Sequence, residues 1–156
     1  MDLKTSAMAT IEKPLSEVFD AVYNPKKIAG YFVTGGASGP LEPGGDIMWE
    51  FRDFPGAFPV HPKTTVKNEL IAFEWGEPRT LVTFTFEAAG ANSTNVTISE
   101  NGWRDFSEAS VRDCIDKQGG WMNMICCLKV YCEYGKNLRE TFFNGLREKK
   151  KQELES

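Results

Sequence analysis

Two periodicities within one chain restrict what it can fold into. From Asp46 to Ile98 apolar residues recur at every second position, whereas from Val111 to Phe142 they recur at three- and four-residue steps. Side chains alternate across a strand but return to one face of a helix every few residues, so the first stretch predicts strands and the second an amphipathic helix. Gly44-Gly45 opens the first clear alternation, and Gly120-Trp121 marks the helix. Strands followed by a helix give an α+β domain with an antiparallel sheet packed on that helix. A sheet folded around one late helix curves to grip it and leaves room between the two.

Local signals fill in the order. Lys4 to Glu12 reads as a strand with Ala7, Ala9 and Ile11 on one face, ended by Pro14. Ser16 is placed to cap a short helix through Tyr23, and a second short helix covers about Lys26 to Tyr31 after Asn24-Pro25. A short strand is expected near Ser38 to Leu41. Ile47, Trp49 and Phe51 then share one face of a strand, and a Pro-rich loop with Pro55, Pro59 and Pro62 leads to another at about Lys63 to Glu69. Further faces are Ile71, Phe73 and Trp75; Val82, Phe84 and Phe86; and Val96 and Ile98. Gly119-Gly120 predicts a kink in the final helix or a frayed start to it, and Gly145 a stop. The expected fold is therefore a curved antiparallel sheet of six or seven strands, wrapped on a long C-terminal helix, with two short helices after the first strand.

The 156 residues suit one domain, taken as residues 1–145, with a fraying polar tail at 146–156. Net charge is −4, from 18 basic and 22 acidic residues, which argues against a nucleic-acid partner. No stretch is apolar enough for a membrane span, and Met1 to Thr10 lacks the pattern of a signal peptide. The cysteines Cys114, Cys126, Cys127 and Cys132 lie in the helical third without a Cys-x-x-Cys pair. Reduced thiols in the cytoplasm are the expectation. Cys114, Cys126 and Cys127 lack zinc-ligand spacing and His61 is the only histidine, so neither a metal nor a cofactor is expected. No glycine pair is followed by the Lys-Ser/Thr of a phosphate loop.

Five short motifs occur in order: Ser16-Glu17-Val18-Phe19-Asp20-Ala21, Pro43-Gly44-Gly45, Phe73-Glu74-Trp75, Glu100-Asn101-Gly102-Trp103, and Gly120-Trp121 with Leu128. Together they resemble the SRPBCC superfamily of START and birch-pollen-allergen-like helix-grip domains. Within it, the chain is similar to the family named for the activator of the heat-shock protein 90 ATPase, over roughly Leu3 to Glu133. The resemblance implies a cavity between sheet and helix. The family's last helix ends near Tyr134, whereas Leu138, Phe142 and Phe143 lie beyond it, placed to cover a cavity mouth or form a dimer contact.

Trp49, Phe51, Trp75, Phe84, Phe86, Trp121, Ile125 and Leu128 are the expected cavity walls; equally, such residues fill a packed core. Glu100 falls in step with Val96 and Ile98, which aims a carboxyl group at the same interior. It could orient a ligand or act as general acid or base, or it could end the strand in water. His61, between Val60 and Pro62, reads as an exposed loop residue and is a distant second for acid–base work. Three functions follow: binding of a small apolar or amphipathic molecule, stimulation of the chaperone ATPase, or cyclase, dehydratase or hydrolase chemistry through Glu100. The first is preferred for the inward aromatic stripe on four strands; no nucleophile–base pair is visible to raise the third.

Overall fold

The structure is a computed structural model and is described over residues 2–155. The chain runs β1 (Lys4–Ile11), α1 (Leu15–Tyr23), α2 (Pro25–Ile28), β2 (Gly36–Ala37), β3 (Ile47–Phe51) and β4 (Phe54–Val66). It continues through β5 (Leu70–Trp75), β6 (Thr80–Gly90), β7 (Ser93–Asn101), α3 (Glu108–Tyr134), α4 (Arg139–Phe142) and α5 (Asn144–Glu155). All seven strands form one antiparallel sheet in the order β1-β7-β6-β5-β4-β3-β2. The helix-grip expectation therefore holds. Consecutive strands from β2 to β7 pair as a meander, and β1 adds to the far edge beside β7.

Alternation decides which side of each strand is buried. Trp49 on β3, Phe84 and Phe86 on β6, and Val96 and Ile98 on β7 are buried, while Met48, Glu50, Thr85 and Thr97 face outward or are half-buried. In register, Phe84 lies opposite Ile98 and Phe86 opposite Val96, so each pair presents apolar surface to the same side. Onto that side pack α1, through Val18, Phe19 and Val22, and α3, through Trp121, Met124, Ile125 and Leu128.

Several local expectations are corrected. The Pro-rich segment is not a loop but part of the long strand β4, where Pro59 pairs with Met48 and Pro62 with Phe73. A proline lacks the donor a ladder requires, and the register shifts between Pro62 and Thr64 absorb the mismatch. Pro14, not Ser16, occupies the cap position of α1. The short strand β2 lies at Gly36–Ala37, before the expected Ser38. Helix α3 runs through Gly119-Gly120 without a break: just before it Gln118 exchanges two hydrogen bonds with the Ser6 backbone of β1, and just after it Trp121 is buried in the core. It stops at Gly135, whose φ of 66° suits a residue without a Cβ and whose N–H bonds Tyr131 at 2.9 Å. Residues 146–155 are helical, as their Lys- and Glu-rich composition favours, but bury nothing. Among the described residues, no helix is long and apolar enough to cross a membrane.

The start of α3 is capped in two layers. Ser107 Oγ accepts from the Ser110 N–H at 3.2 Å. Asp105 Oδ1 in turn accepts from the Ser107 N–H at 3.0 Å and the Ser110 hydroxyl at 2.6 Å. These bonds favour the charged carboxylate and pull the Asp105 pKa down to about 2.

Two outcomes follow from this architecture. Gly35 donates to the Glu50 carbonyl at 2.8 Å, and an added Cβ would meet Glu50 backbone carbon at 2.8 Å. Gly35→Ala is expected to destabilise the protein by about 1–3 kcal/mol in urea denaturation, because backbone must shift to admit the methyl. The lowered Asp105 pKa means that its cap contribution is present above the ordinary carboxylate range and is lost as pH falls through about 2. Titration by NMR is expected to find that low midpoint in the wild type and a higher one in Ser110→Ala.

Candidate functional site

The interior divides into a filled part and an open part. Phe86 meets both Phe84 and Phe19, with Phe19–Phe86 centroids 5.2 Å apart. Trp49 is fully buried, enclosed by Phe32, Phe51, Phe73 and Trp75. Ile125 and Leu128 are likewise buried in the same core. Five of the expected wall residues, Trp49, Phe84, Phe86, Ile125 and Leu128, therefore lie in packed core, where α1 and the segment after α2 supply Phe19 and Phe32 to fill the space.

At the other end of the sheet lies a cleft of about 720 Å³. Phe51, Trp75 and Trp121 line it, as expected from the sequence, joined by Phe32, Phe54 and Phe58. Its polar members are His61, Glu77, Asp116, Lys117 and Arg139. Gly76 and Gly120 also line it, and an added Cβ at Gly120 would meet nothing within 4 Å. The glycine that sequence periodicity flagged as a kink instead leaves space in front of Trp121. A smaller depression of about 480 Å³ lies beside the β3–β4 turn, around Arg52 to Ala57.

Glu100 is fully buried and sits behind the cleft rather than on it. Its Oε1 accepts from Trp121 Nε1 at 2.8 Å. Its Oε2 accepts from the Thr80 hydroxyl at 2.5 Å and from Trp75 Nε1 at 3.1 Å. The Glu100 N–H donates to Thr5 Oγ1 at 2.9 Å. One carboxyl group thus ties β5, β6, β7 and α3 together and sets the angle of the two indoles that wall the cleft, whose rings lie 5.5 Å apart. A buried carboxyl group is tolerable only with such partners.

His61 is not on a loop. It lies on β4, its Nδ1 2.7 Å from Asp46 Oδ1, and its side chain is only 16% exposed. That hydrogen bond holds the Asp46 carboxyl below its usual range. The cysteines are free thiols. Burial pushes Cys127 up to about 11 and Cys132 up to about 12, so these two stay protonated and unreactive. Among the described residues, no group of His, Cys, Asp and Glu is placed to hold a metal ion.

Comparison with known proteins gives a consistent picture. A family model for activator of Hsp90 ATPase homolog 1-like proteins matches residues 12–133. Protein SSP2350 from Staphylococcus saprophyticus is 30% identical and superposes with a TM-score of 0.74, over 87% of this chain and 96% of that one. DynU16, from the dynemicin biosynthetic locus, is 24% identical with a TM-score of 0.75, over 87% of this chain and 49% of that one. The Aha1 dimer from Colwellia psychrerythraea is 17% identical with a TM-score of 0.72, over 86% and 98%. The last two show the fold alone. No curated protein sequence matches.

Replacing Glu100 by Gln keeps the shape but turns one acceptor into a donor facing a donor. Glu100→Gln is expected to lower stability by about 1–3 kcal/mol in urea denaturation and to shift the tryptophan emission of the folded protein, as the indole bonds loosen. Unchanged stability and emission would contradict the role given to Glu100.

Proposed function

The chain belongs to the activator of Hsp90 ATPase homolog 1-like family, and we propose that it binds a small apolar or amphipathic molecule in the cleft beside Trp75 and Trp121. The observation that carries this reading is the cleft itself. About 720 Å³ lies within the usual range for small-molecule sites, and such sites are mostly apolar with a few polar groups. The indoles are already fixed by Glu100 and the Phe32 ring packs on Trp121 at 5.9 Å, so little ordering is left to a ligand.

Glu100 supports binding rather than proton transfer in this reading. Both its oxygens already accept hydrogen bonds from protein groups, and it does not line the cleft. Stimulation of a chaperone ATPase rests on the family relationship alone, and a fold does not carry a function with it. The free thiols fit the reducing cytoplasm as the place of action.

The neutral fluorophore N-phenyl-1-naphthylamine is the probe of choice. It is expected to bind with a blue-shifted, enhanced emission and to quench tryptophan fluorescence. Gly120→Leu fills the mouth in front of Trp121 without meeting neighbours at its Cβ, and replaces a poor helix former by a good one. This variant is expected to keep or raise its melting temperature and to lose probe binding. A Gly120→Leu protein that binds the probe as well as wild type would place the ligand elsewhere.

A further inference from the structure

Two carboxylates on the cleft are unused. Glu77 stands in the turn between β5 and β6, two residues after Trp75. Asp116 stands on α3, one turn before Gly120 and on the same face. Both line the cleft and both are exposed. Among the described residues, neither has an ion-pair or hydrogen-bond partner.

The cations of the cleft are already matched. Lys117 Nζ lies 3.3 Å from Asp113 Oδ1, and Arg139 Nη2 lies 3.1 Å from Asp53 Oδ2. His61 and Asp46 form a pair of their own, with Arg79 and Lys63 in range of Asp46. Glu77 and Asp116 therefore leave the cleft with an excess of negative charge. Aromatic walls of low dielectric concentrate that field in the opening, where water would otherwise disperse it.

The walls favour the same sign of ligand on separate grounds. The face of an aromatic ring is electron-rich and attracts a cation. Lys117 Nζ lies 5.5 Å from the Trp75 ring centroid, and the Arg139 guanidinium lies 5.3 Å from that of Phe32 and 5.1 Å from that of Phe51. These are the cation–ring contacts among the described residues, and every ring in them lines this cleft. Phe54 and Phe58 line it too without holding a cation, and Phe54 is 60% exposed. An arriving cation finds free carboxylates and free ring faces. An arriving anion finds matched cations and the two carboxylates.

Building on the reading of the cleft as a binding site, we infer that its ligand is a cationic amphiphile, an apolar ring system bearing an ammonium group, either a protonated amine or a quaternary nitrogen. The apolar body lies against Trp75 and Trp121. The ammonium group stays at the mouth, in the field of Glu77 and Asp116, and keeps part of its water. Keeping that water avoids the large cost of burying a charge, so the attraction of the carboxylates and rings is left as a net gain.

Three compounds of similar shape test this in the full chain. They are 2-naphthylmethylamine, 2-naphthylmethanol and 2-naphthoate, each competing against bound N-phenyl-1-naphthylamine at neutral pH. The amine is expected to displace the probe at about fivefold lower concentration than the alcohol, with the naphthoate weakest. The ratio of amine to alcohol is expected to shrink as ionic strength is raised, because salt screens the carboxylates but leaves the apolar contact. In Glu77→Gln/Asp116→Asn the ratio is expected to fall to near one. In Glu69→Gln/Glu87→Gln, which removes as much charge from exposed sites off the cleft, it is expected to keep its wild-type value. Equal displacement by amine and alcohol, strongest displacement by the naphthoate, a ratio that survives in Glu77→Gln/Asp116→Asn, or one lost equally in the off-cleft variant would each overturn the inference while leaving the cleft as a binding site. Failure of the probe and all three compounds to bind wild type would overturn the cleft reading and this inference with it. The wild-type order and its salt response decide the matter even where a variant does not fold.

Discussion

The carboxyl group of Glu100 is the point at which sheet and helix are joined by something more directional than apolar contact. Hydrophobic burial pulls α3 onto the sheet but does not fix its rotation, since a helix can roll on an apolar surface at small cost. The Trp121 indole bonded to Glu100 at 2.8 Å removes that freedom. Through Trp75 and Thr80 the same group also fixes the end of β5 and the start of β6. With its acceptors occupied inside the protein, Glu100 meets the condition under which a buried polar group specifies one arrangement rather than penalising all of them.

That rotation determines where the interior is full and where it is open. With Trp121 turned toward Glu100, the residues one and two turns later, Ile125 and Leu128, are buried in the core that also holds Phe19, Phe84 and Phe86. One residue before Trp121, Gly120 faces the cleft with no side chain to offer. On this side the sheet continues through β3 and β4, whose Phe51, Phe54 and Phe58 line the cleft across from α3. Close packing in one half and an aromatic-walled opening in the other are thus two consequences of one helix position.

Sequence periodicity made most of the scaffold legible, for a plain reason. Strands half-buried against one layer alternate cleanly, and α3 has a single buried stripe, so β3, β5, β6, β7 and α3 could be located and their inner faces named. The inward direction of Glu100 followed from the same alternation, but its partners did not, because two are indoles from other elements. Periodicity also could not separate wall from core: Phe51 and Phe84 both face inward, and only the third dimension puts one on the cleft and the other beneath Trp121. The prolines of β4 concealed a strand, and with it the position of His61. Phe32 lies in the irregular stretch after α2, where no repeat identifies a face.

Arg139 was invisible for a different reason. Leu138, Phe142 and Phe143 are the apolar residues of the C-terminal extension and were the natural candidates to cover a cavity. In the structure Leu138 and Phe142 are exposed, Phe143 packs on Phe142 at 4.8 Å, and the charged residue between them turns inward. The inversion is understandable once Asp53 is considered. The tight β3–β4 turn places a carboxylate at the edge of an aromatic surface, which is costly unless a cation joins it. Arginine serves better than lysine there, because its flat guanidinium can lie on Phe32 and Phe51 while its edge meets the acid. The requirement to neutralise Asp53 therefore draws the extension onto the cleft, where Arg139 becomes part of the lining. A segment outside the residues matched by the family model thus shapes one wall of the cleft, so likeness of fold alone does not carry a function to this chain.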